Sequence, residues 1–261
     1  MKAGHVFLAI FKRDVTRFLQ QRARFFSALV RPLLWLFVFS IGFRNAFDFG
    51  AVAPYATPVP YDTYILPGLI GMILLFNGMQ NSLSMVYDRE MGSMRLLMTA
   101  PWPRWYLLGC RLISGTLVSF FQVYAFLIIA AVFGFDVPLL GGLALVPVLL
   151  LSGLMLGALG MILAARIEQL ENFAGVMNFV IFPMFFASSA LYPLSQLAAS
   201  SSVLAAIAGA NPLTWAIELM RFTLYFSMNW TALGVTLAFT GLFTAVAVLG
   251  YQPKSAVSVR S

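Results

Sequence analysis

Residues 137–165 read VPLLGGLALVPVLLLSGLMLGALGMILAA, a run of 29 residues without a charged side chain. A helix needs about 20 mostly apolar residues to cross the hydrocarbon core of a bilayer. This run is therefore long enough for one membrane-spanning helix. The other long uncharged runs are Pro32–Phe43, Thr63–Tyr87, Leu112–Phe135, Asn172–Ile217 and Phe222–Pro253. Together the runs predict an all-α membrane protein.

The composition supports this class and excludes several others. Of the 261 residues, 61% are hydrophobic and only 10% are charged, whereas a soluble domain carries about 25% charged residues. The single cysteine, Cys110, excludes an intrachain disulfide, and the single histidine, His5, excludes histidine-clustered metal sites and Ser/His or Cys/His catalysis. The chain also lacks the Gly-x-x-x-x-Gly-Lys-Ser/Thr phosphate loop. We therefore expect no enzymatic activity and no cofactor or metal on this chain.

The uncharged runs predict six membrane-spanning helices. The 12-residue run is short, but Arg31 and Arg44 can extend their charged groups to opposite interfaces, which lengthens the span to about residues 26–47. The 46-residue run is too long for one span, and three prolines interrupt it. We expect one span at about 173–192, followed by a re-entrant or interfacial hairpin near 194–210. A hairpin that crosses fully would give seven spans.

Lysine and arginine positions predict the orientation. With six spans and the N-terminus inside, 14 of the 16 basic residues lie on the cytoplasmic side, and only Arg44 and Arg221 lie outside. Seven spans would leave 13 inside. We expect a multi-pass protein of the bacterial cytoplasmic membrane with both termini in the cytoplasm. The net charge of +7 is then explained by contact with the membrane surface rather than by binding to nucleic acid.

Residues 1–25 have the pattern of an amphipathic helix that lies in the membrane interface. One helical face is apolar and rich in phenylalanine, and the other is basic. The apolar face carries Phe7, Leu8, Phe11, Val15, Phe18, Leu19 and Phe26, and the basic face carries Lys12, Arg13, Thr16, Arg17, Gln20 and Arg24. The expected organisation is a single domain over 1–261, with this helix at 1–25, the bundle at 26–253 and a cytoplasmic tail at 254–261.

The segment between the second and third spans, residues 88–104, reads DREMGSMRLLMTAPWPR. Asp88 and Glu90 precede Arg95, an order that suits the dipole of a short helix beginning at Asp88. Pro101 ends that helix. An exposed leucine and methionine surface around Leu97 would make it a docking element. The alternative is an ordinary charged turn with aromatic anchors at the membrane interface.

Five stretches of the chain resemble the type 2 ABC transporter permeases, the branch that contains drug, lipo-oligosaccharide and polysaccharide exporters. The order and spacing of the stretches carry the resemblance, since each alone is weak. They are Pro32-Leu33-Leu34-Trp35 through Phe43, Tyr64-Ile65-Leu66-Pro67-Gly68, Asp88-Arg89-Glu90-Met91-Gly92 through Pro101, Ser188-Ser189-Ala190-Leu191-Tyr192-Pro193-Leu194, and Asn211-Pro212-Leu213-Thr214 through Arg221.

The resemblance implies an export function powered by a separate ATP-binding subunit. It implies a coupling helix in the loop after span two, a second contact in the loop after span four, and an outer hairpin between spans five and six. The coupling candidates are Asp88, Arg89, Glu90, Gly92, Arg95, Leu97, Pro101, Arg166, Glu168 and Glu171. It further implies a second permease chain, expected to be a homodimer partner, and two ATPase copies that hold ATP and Mg²⁺.

Polar residues inside the predicted spans are candidates for the translocation path. Asn77, Gln80, Asn81 and Ser84 form a stripe on one face of span two, and Asn178 lies in span five. Amides do not face lipid without a hydrogen-bonding partner, so the stripe faces either protein or water. The alternatives are hydrogen bonds between helices and a polar wall of the path.

Glu218 and Arg221 are candidates for an outer gate at the start of span six, where their spacing permits an ion pair. The competing function is an ion-coupled secondary transporter, which usually carries acidic or histidine side chains within its spans. An intramembrane enzyme would need paired catalytic groups, and the sequence offers none.

Overall fold

The computed structural model describes residues 3–20, 22–43, 53–55, 59–91, 102–167 and 169–250. Within these ranges the chain is helical and has no β-strand, which confirms the predicted all-α class. The helices in chain order are α1 (Ala3–Gln20), α2 (Arg22–Phe43), α3 (Tyr61–Glu90), α4 (Arg104–Val132), α5 (Leu139–Arg166), α6 (Leu170–Phe186), α7 (Leu194–Ser200), α8 (Ser202–Ala210), α9 (Pro212–Leu224) and α10 (Trp230–Gly250). The predicted tail at 254–261 lies outside the described residues.

Four of the described helices, α3, α4, α5 and α10, are long and apolar enough to cross a membrane. The helices α8 and α9 meet that requirement only as a pair, and an 81° bend separates them. Two apolar helices are shorter, α6 and the Ala28–Gly42 part of α2. A 17-residue helix such as α6 rises about 25 Å, somewhat less than the hydrocarbon core of about 30 Å. The described helices thus give four to five candidate spans, and six crossings stay a prediction.

The helix α3 is the centre of the bundle and packs against α2, α4, α5, α6 and α9. From Tyr61 to Phe76 almost every side chain is buried, on all sides of the helix. Beyond Phe76 the burial follows one face, because Asn77, Gln80 and Ser84 become partly exposed. The apolar half of α3 therefore forms the core, and its polar half borders open space.

Small residues bring α3 and α5 into close contact. A Cβ atom at Gly78 of α3 would lie 3.0 Å from the backbone nitrogen of Gly157 in α5. A Cβ atom at Gly160 would lie 2.9 Å from the carbonyl oxygen of Gly78 and closer still to Ser82 Oγ. Glycine is required here because the two backbones leave no room for a side chain, as is usual where membrane helices pack closely.

The chain after α6 forms more separate helices than the sequence predicts. The stretch from Pro212 to Leu224, expected to contain the start of span six, is a separate and largely buried helix, α9, and α10 begins only at Trp230. Asn211 explains the break. Its Oδ1 accepts from Leu213 N at 3.0 Å and caps α9, and its Nδ2 donates to the carbonyl oxygens of Met184 at 2.7 Å and Ala187 at 2.9 Å. One side chain thus starts α9 and ties it to the end of α6.

The N-terminal helix α1 lies along α4. Asp14 accepts a hydrogen bond from Ser114 Oγ at 2.7 Å, and the rings of Phe18 and Phe121 lie 6.1 Å apart. Leu8 and Leu19, which belong to the predicted apolar face, are 62% and 64% exposed. This exposure suits a helix that turns part of its apolar face to lipid. The structure has a helix over Ala3–Gln20 that is anchored on α4 through Asp14, and its position in the membrane interface stays a prediction.

Candidate translocation and coupling sites

The polar stripe of α3 lines a cavity of about 140 Å³ to which α1, α2 and α4 also contribute. From α3 the cavity is lined by Asn77, Gln80, Asn81 and Ser84, which are the four residues predicted as one stripe. The other lining residues come from the N-terminal helices and from α4, and they are Asp14, Arg17, Phe18, Phe25, Gly115, Val118, Ser119 and Gln122. The structure therefore brings the predicted stripe together with polar groups of two other helices.

A second cavity of about 70 Å³ adjoins the first and reaches towards α2. The two cavities share Asn77, Gln80 and Gln122 as lining residues. Arg31 of α2 lines the second cavity, and its guanidinium carbon lies 3.9 Å from the ring centroid of Phe76. This cation–π contact holds the guanidinium group beside the smaller cavity, although the residue as a whole is exposed.

Two amide atoms at these cavities have no hydrogen-bonding partner within the described residues. They are Nδ2 of Asn77, a donor, and Oε1 of Gln122, an acceptor. The Gln122 side chain belongs to a residue that is only 5% exposed. An unpaired buried polar atom is costly, so sites of this kind usually hold water or a polar ligand.

Asn178, the candidate in span five, is not part of this arrangement. It is exposed on α6, whose buried face carries Phe173, Ile181 and Phe185. It lines neither of the two cavities. Within the described structure, the predicted path residues of α3 therefore form one site and Asn178 lies apart from it.

The coupling candidates also divide into two groups. Asp88 is buried, and its carboxylate accepts a 2.6 Å hydrogen bond from Arg111 of α4, which also donates to Ser84 Oγ at 3.0 Å. Arg89 donates to the carbonyl oxygen of Ile167 at 3.5 Å, which links the end of α3 to the segment after α5. These contacts hold helices together.

Glu90, Arg166 and Glu171 are exposed at the ends of α3, α5 and α6. These three are free to meet a partner. One expectation is wrong in detail, because Asp88 and Glu90 end α3 instead of beginning a new helix. The remaining coupling candidates, Gly92, Arg95, Leu97, Pro101 and Glu168, lie outside the described residues.

The outer-gate candidates lie in α9, which is long and apolar enough to cross a membrane only together with α8. Arg221 is 1% exposed and forms an ion pair with Glu218. It donates to the carbonyl oxygen of Ser189 at 2.8 Å, and its guanidinium carbon lies 4.1 Å from the ring centroid of Tyr64 in α3. Tyr64 donates to the same carbonyl oxygen at 3.0 Å. The Arg221 side chain thus joins α9 to α3 and to the turn after α6.

An aromatic group covers this arginine. The ring centroid of Tyr55 lies 4.9 Å from that of Tyr225 and 6.5 Å from that of Tyr64. Burial raises the pKa of the Tyr55 hydroxyl to about 12, so this hydroxyl stays neutral at physiological pH. One cluster in the described structure thus consists of Arg221, Glu218, Tyr55, Tyr64 and Tyr225, and we call it the plug.

Sequence reasoning missed three residues of these sites, Asp14, Arg111 and Gln122. Asp14 is the first acidic residue in a basic segment, and Gln122 is an amide inside an apolar run. Each of these two residues differs in polarity or charge from its neighbours, and this difference is visible in the sequence. Arg111 precedes the uncharged run of span three, so its pairing with Asp88 cannot be distinguished from an interfacial charge without the helix packing.

Comparison with known proteins identifies the family. The sequence model of the ABC-2 type transporter family matches residues 5–225. The transport permease ycf38 of Pyropia yezoensis is 30% identical over 85% of this chain and 74% of its own length, and that of Cyanophora paradoxa is 28% identical over 78% and 68%. The ABC transporter permease YbhR of Escherichia coli (strain K12) is 27% identical over 55% of this chain and 39% of its own length.

The family match covers every helix from α1 to α9, including the polar stripe of α3 and the plug around Arg221. It agrees with the resemblance seen in the five sequence stretches, which lie between Pro32 and Arg221. The chain belongs to the ABC-2 type transporter family and is the membrane subunit of an ABC transporter.

Proposed function

We propose that this chain is the membrane half of an exporter whose cargo is amphipathic, of the drug, lipid-linked or saccharide class. The observation that carries the proposal is the arrangement of α3. One continuous helix bears the polar cavity residues Asn77 to Ser84 and ends at the exposed Glu90. A movement of the helix end at Glu90 would be transmitted to the cavity residue Ser84 through only about two helical turns.

The proposed assembly contains two permease chains and two ATPase subunits. Members of the family work with an ATPase partner and usually form dimers. The two cavities beside the α3 stripe measure about 140 and 70 Å³, whereas pockets for drug-sized ligands measure about 300–1,000 Å³. A third cavity of about 510 Å³ lies between α1 and α4, but its walls are almost entirely apolar, with Phe11, Phe120 and Phe121 among them. The polar part of an amphipathic cargo therefore needs a wider polar path, and we expect a second chain to complete it.

In the proposed topology the chain crosses the bacterial cytoplasmic membrane six times, through α2, α3, α4, α5, α6 and α10, with both termini in the cytoplasm. The hairpin α7 to α9 then lies on the outer side and the Asp88–Pro101 segment on the cytoplasmic side. The charge distribution supports this orientation. An ion-coupled secondary transporter is disfavoured because the acidic side chains Asp88 and Glu218 are already paired with arginines.

Co-purification with the ABC ATPase of the same cell, followed by mass measurement and transport in vesicles, tests this proposal. The expected result is a complex of two permeases and two ATPases that moves cargo only with hydrolysable ATP. A single chain that transports without an ATPase would contradict it.

A further inference from the structure

We propose that the two adjoining cavities beside the α3 stripe bind the phosphate head group of a membrane amphiphile. This inference goes beyond the export function, because the site lies within one chain and needs no second permease. Its ligand class follows from charge, from unpaired polar atoms and from the size of the space.

The first argument is the charge of the cavities. Arg17 lines the larger cavity and Arg31 the smaller one. Within the described residues, neither arginine forms an ion pair with a carboxylate. The one acidic residue of the walls, Asp14, is already bound to Arg13 at 3.0 Å and to Ser114 at 2.7 Å. The uncompensated charge is positive, so the complementary ligand is an anion.

The second argument is the pair of unpaired amide atoms. Asn77 Nδ2 offers a hydrogen and Gln122 Oε1 accepts one, and both residues line both cavities. A bare anion satisfies only the donor. A phosphate next to a hydroxyl satisfies both, because the phosphate oxygens accept from Asn77 and from arginine while the hydroxyl donates to Gln122.

The third argument is size and surroundings. About 140 and 70 Å³ admit a head group but not its acyl chains. Phe18 and Phe25 lie at the walls of the larger cavity. On α2, Val30, Leu34 and Val38 are 56%, 54% and 47% exposed, and such residues face lipid in a membrane. An amphiphile can place its head group among the polar residues and leave its chains along α2.

Direct binding tests the site. The full-length chain is purified in detergent, mixed with vesicles of phosphatidylglycerol and phosphatidylcholine in equal amounts, and the retained lipid is quantified by native mass spectrometry. Phosphatidylglycerol is an anion whose head group carries hydroxyls, whereas phosphatidylcholine has no head-group hydroxyl and its quaternary ammonium cancels the phosphate charge, so the two lipids differ in both properties that the site requires. We expect the wild type to retain phosphatidylglycerol preferentially, and Arg17→Gln/Arg31→Gln to lose about tenfold or more of it.

Two further variants separate specific binding from general effects. Lys12→Gln/Arg104→Gln removes the same two positive charges from exposed positions outside the cavities, and it should retain the wild-type amount. Gln122→Leu keeps all charges but removes the acceptor, and it should reduce the preference for phosphatidylglycerol over phosphatidylcholine. Equal retention by the wild type, Arg17→Gln/Arg31→Gln and Gln122→Leu would overturn the proposal, as would equal retention of both lipids by the wild type.

The source of the head group is decided by turnover. A resident lipid stays bound when the ATPase subunit and ATP are added, whereas a cargo lipid is released, and either result supports a phosphate head-group site. Lipid retention is measured without transport. A loss of lipid retention therefore leaves the proposed exporter function unaffected. Selective retention by a chain that never associates with an ATPase would instead refute the exporter assignment and leave this site standing.

Discussion

Arg111 of α4 and Asp88 of α3 form an ion pair at 2.6 Å, with side chains that are only 5% and 8% exposed. Two residues further along, Glu90 is exposed. One short acidic segment therefore places two carboxylates in different environments. Asp88 fixes the angle between α3 and α4, while Glu90 remains available to a partner. Substitutions at the two positions should have different consequences.

Asp88→Ala should destabilise the protein, because it leaves the Arg111 guanidinium buried without its counter-charge. Breaking a buried ion pair in this way costs about 3–5 kcal/mol. The measurement is thermal unfolding in detergent, followed by a thiol-reactive dye that labels the buried Cys110 only after unfolding. Asp88→Leu/Arg111→Leu should recover most of the loss, and Glu90→Ala should melt as the wild type. Equal melting of Asp88→Ala and wild type would mean that the pair does not support the fold.

Glu90→Lys should leave folding unchanged and abolish coupling. The side chain is exposed at the end of α3, so we expect the charge reversal to disturb the proposed contact with the ATPase but not the helix bundle. ATP hydrolysis of the reconstituted complex, with and without cargo, measures the effect. Leu97→Asp, which falls outside the described residues, should weaken assembly itself. Wild-type transport by both variants would show that this segment is an ordinary charged turn.

Gly78→Ala should destabilise the contact between α3 and α5, because the new Cβ lies 3.0 Å from the backbone of Leu156 and Gly157. Overpacking of this kind costs about 1–3 kcal/mol. Gly175→Ala in α6 is the matched control, since nothing lies within 4 Å of its new Cβ, and it should be neutral or slightly stabilising through helix propensity. The Cys110 dye assay compares the two. A Gly78→Ala protein as stable as Gly175→Ala would contradict the close crossing.

Arg221→Lys should weaken the plug although it keeps the positive charge. A lysine cannot reproduce both the planar stacking on Tyr64 and the simultaneous bonds to Glu218 and Ser189. We expect a loss of about 1–3 kcal/mol, measured by the same unfolding assay. Arg104→Lys, at an exposed position, controls for the change of side chain. Equal stability of the two variants would show that the fork geometry of Arg221 is unimportant.

Single-cysteine labelling in a Cys110→Ser background should confirm the orientation. An impermeant reagent applied from outside should label Thr57→Cys and spare Ser258→Cys, because the proposed six crossings keep both termini inside. Permeabilised cells, in which both positions become accessible, provide the control. External labelling of Ser258→Cys would exclude the six-span arrangement.

The sequence predicts α3, α4, α5 and α10 well, because a charge inside a membrane span is expensive and the uncharged runs therefore mark spans. It predicts the stripe of Asn77, Gln80, Asn81 and Ser84 because helical spacing fixes which side chains share a face. It does not predict what that face meets. Asp14 and Gln122 come from helices far away in the chain, and only packing brings them to the same cavity.

The ends of α3 and α9 are harder to predict from the sequence, for a different reason. The first charged residue after an apolar run is a natural boundary in a sequence, yet α3 continues through Glu90 because Asp88 is neutralised by Arg111. In the same way, the uncharged run that contains α10 gives no sign that α9 stops at Leu224. Hydropathy reports burial from water, and it cannot distinguish a helix that spans from one that folds back.

The glycine contact between α3 and α5 restricts how this protein can move. Where two helix backbones touch with no side chain between them, sliding or separation of the helices would open a void along the whole contact. We therefore expect α3 and α5 to move as one rigid unit. A pull on Glu90 would then also carry α9 and α10, which pack on α5. A neighbouring flank of α3, which carries Asn77 and Gln80, borders the two cavities instead of tightly packed side chains. A movement of α3 driven by the ATPase would therefore change the volume of the cavities on that flank. The space beside Asn77 and Gln122 can shrink or widen without disrupting the packed core.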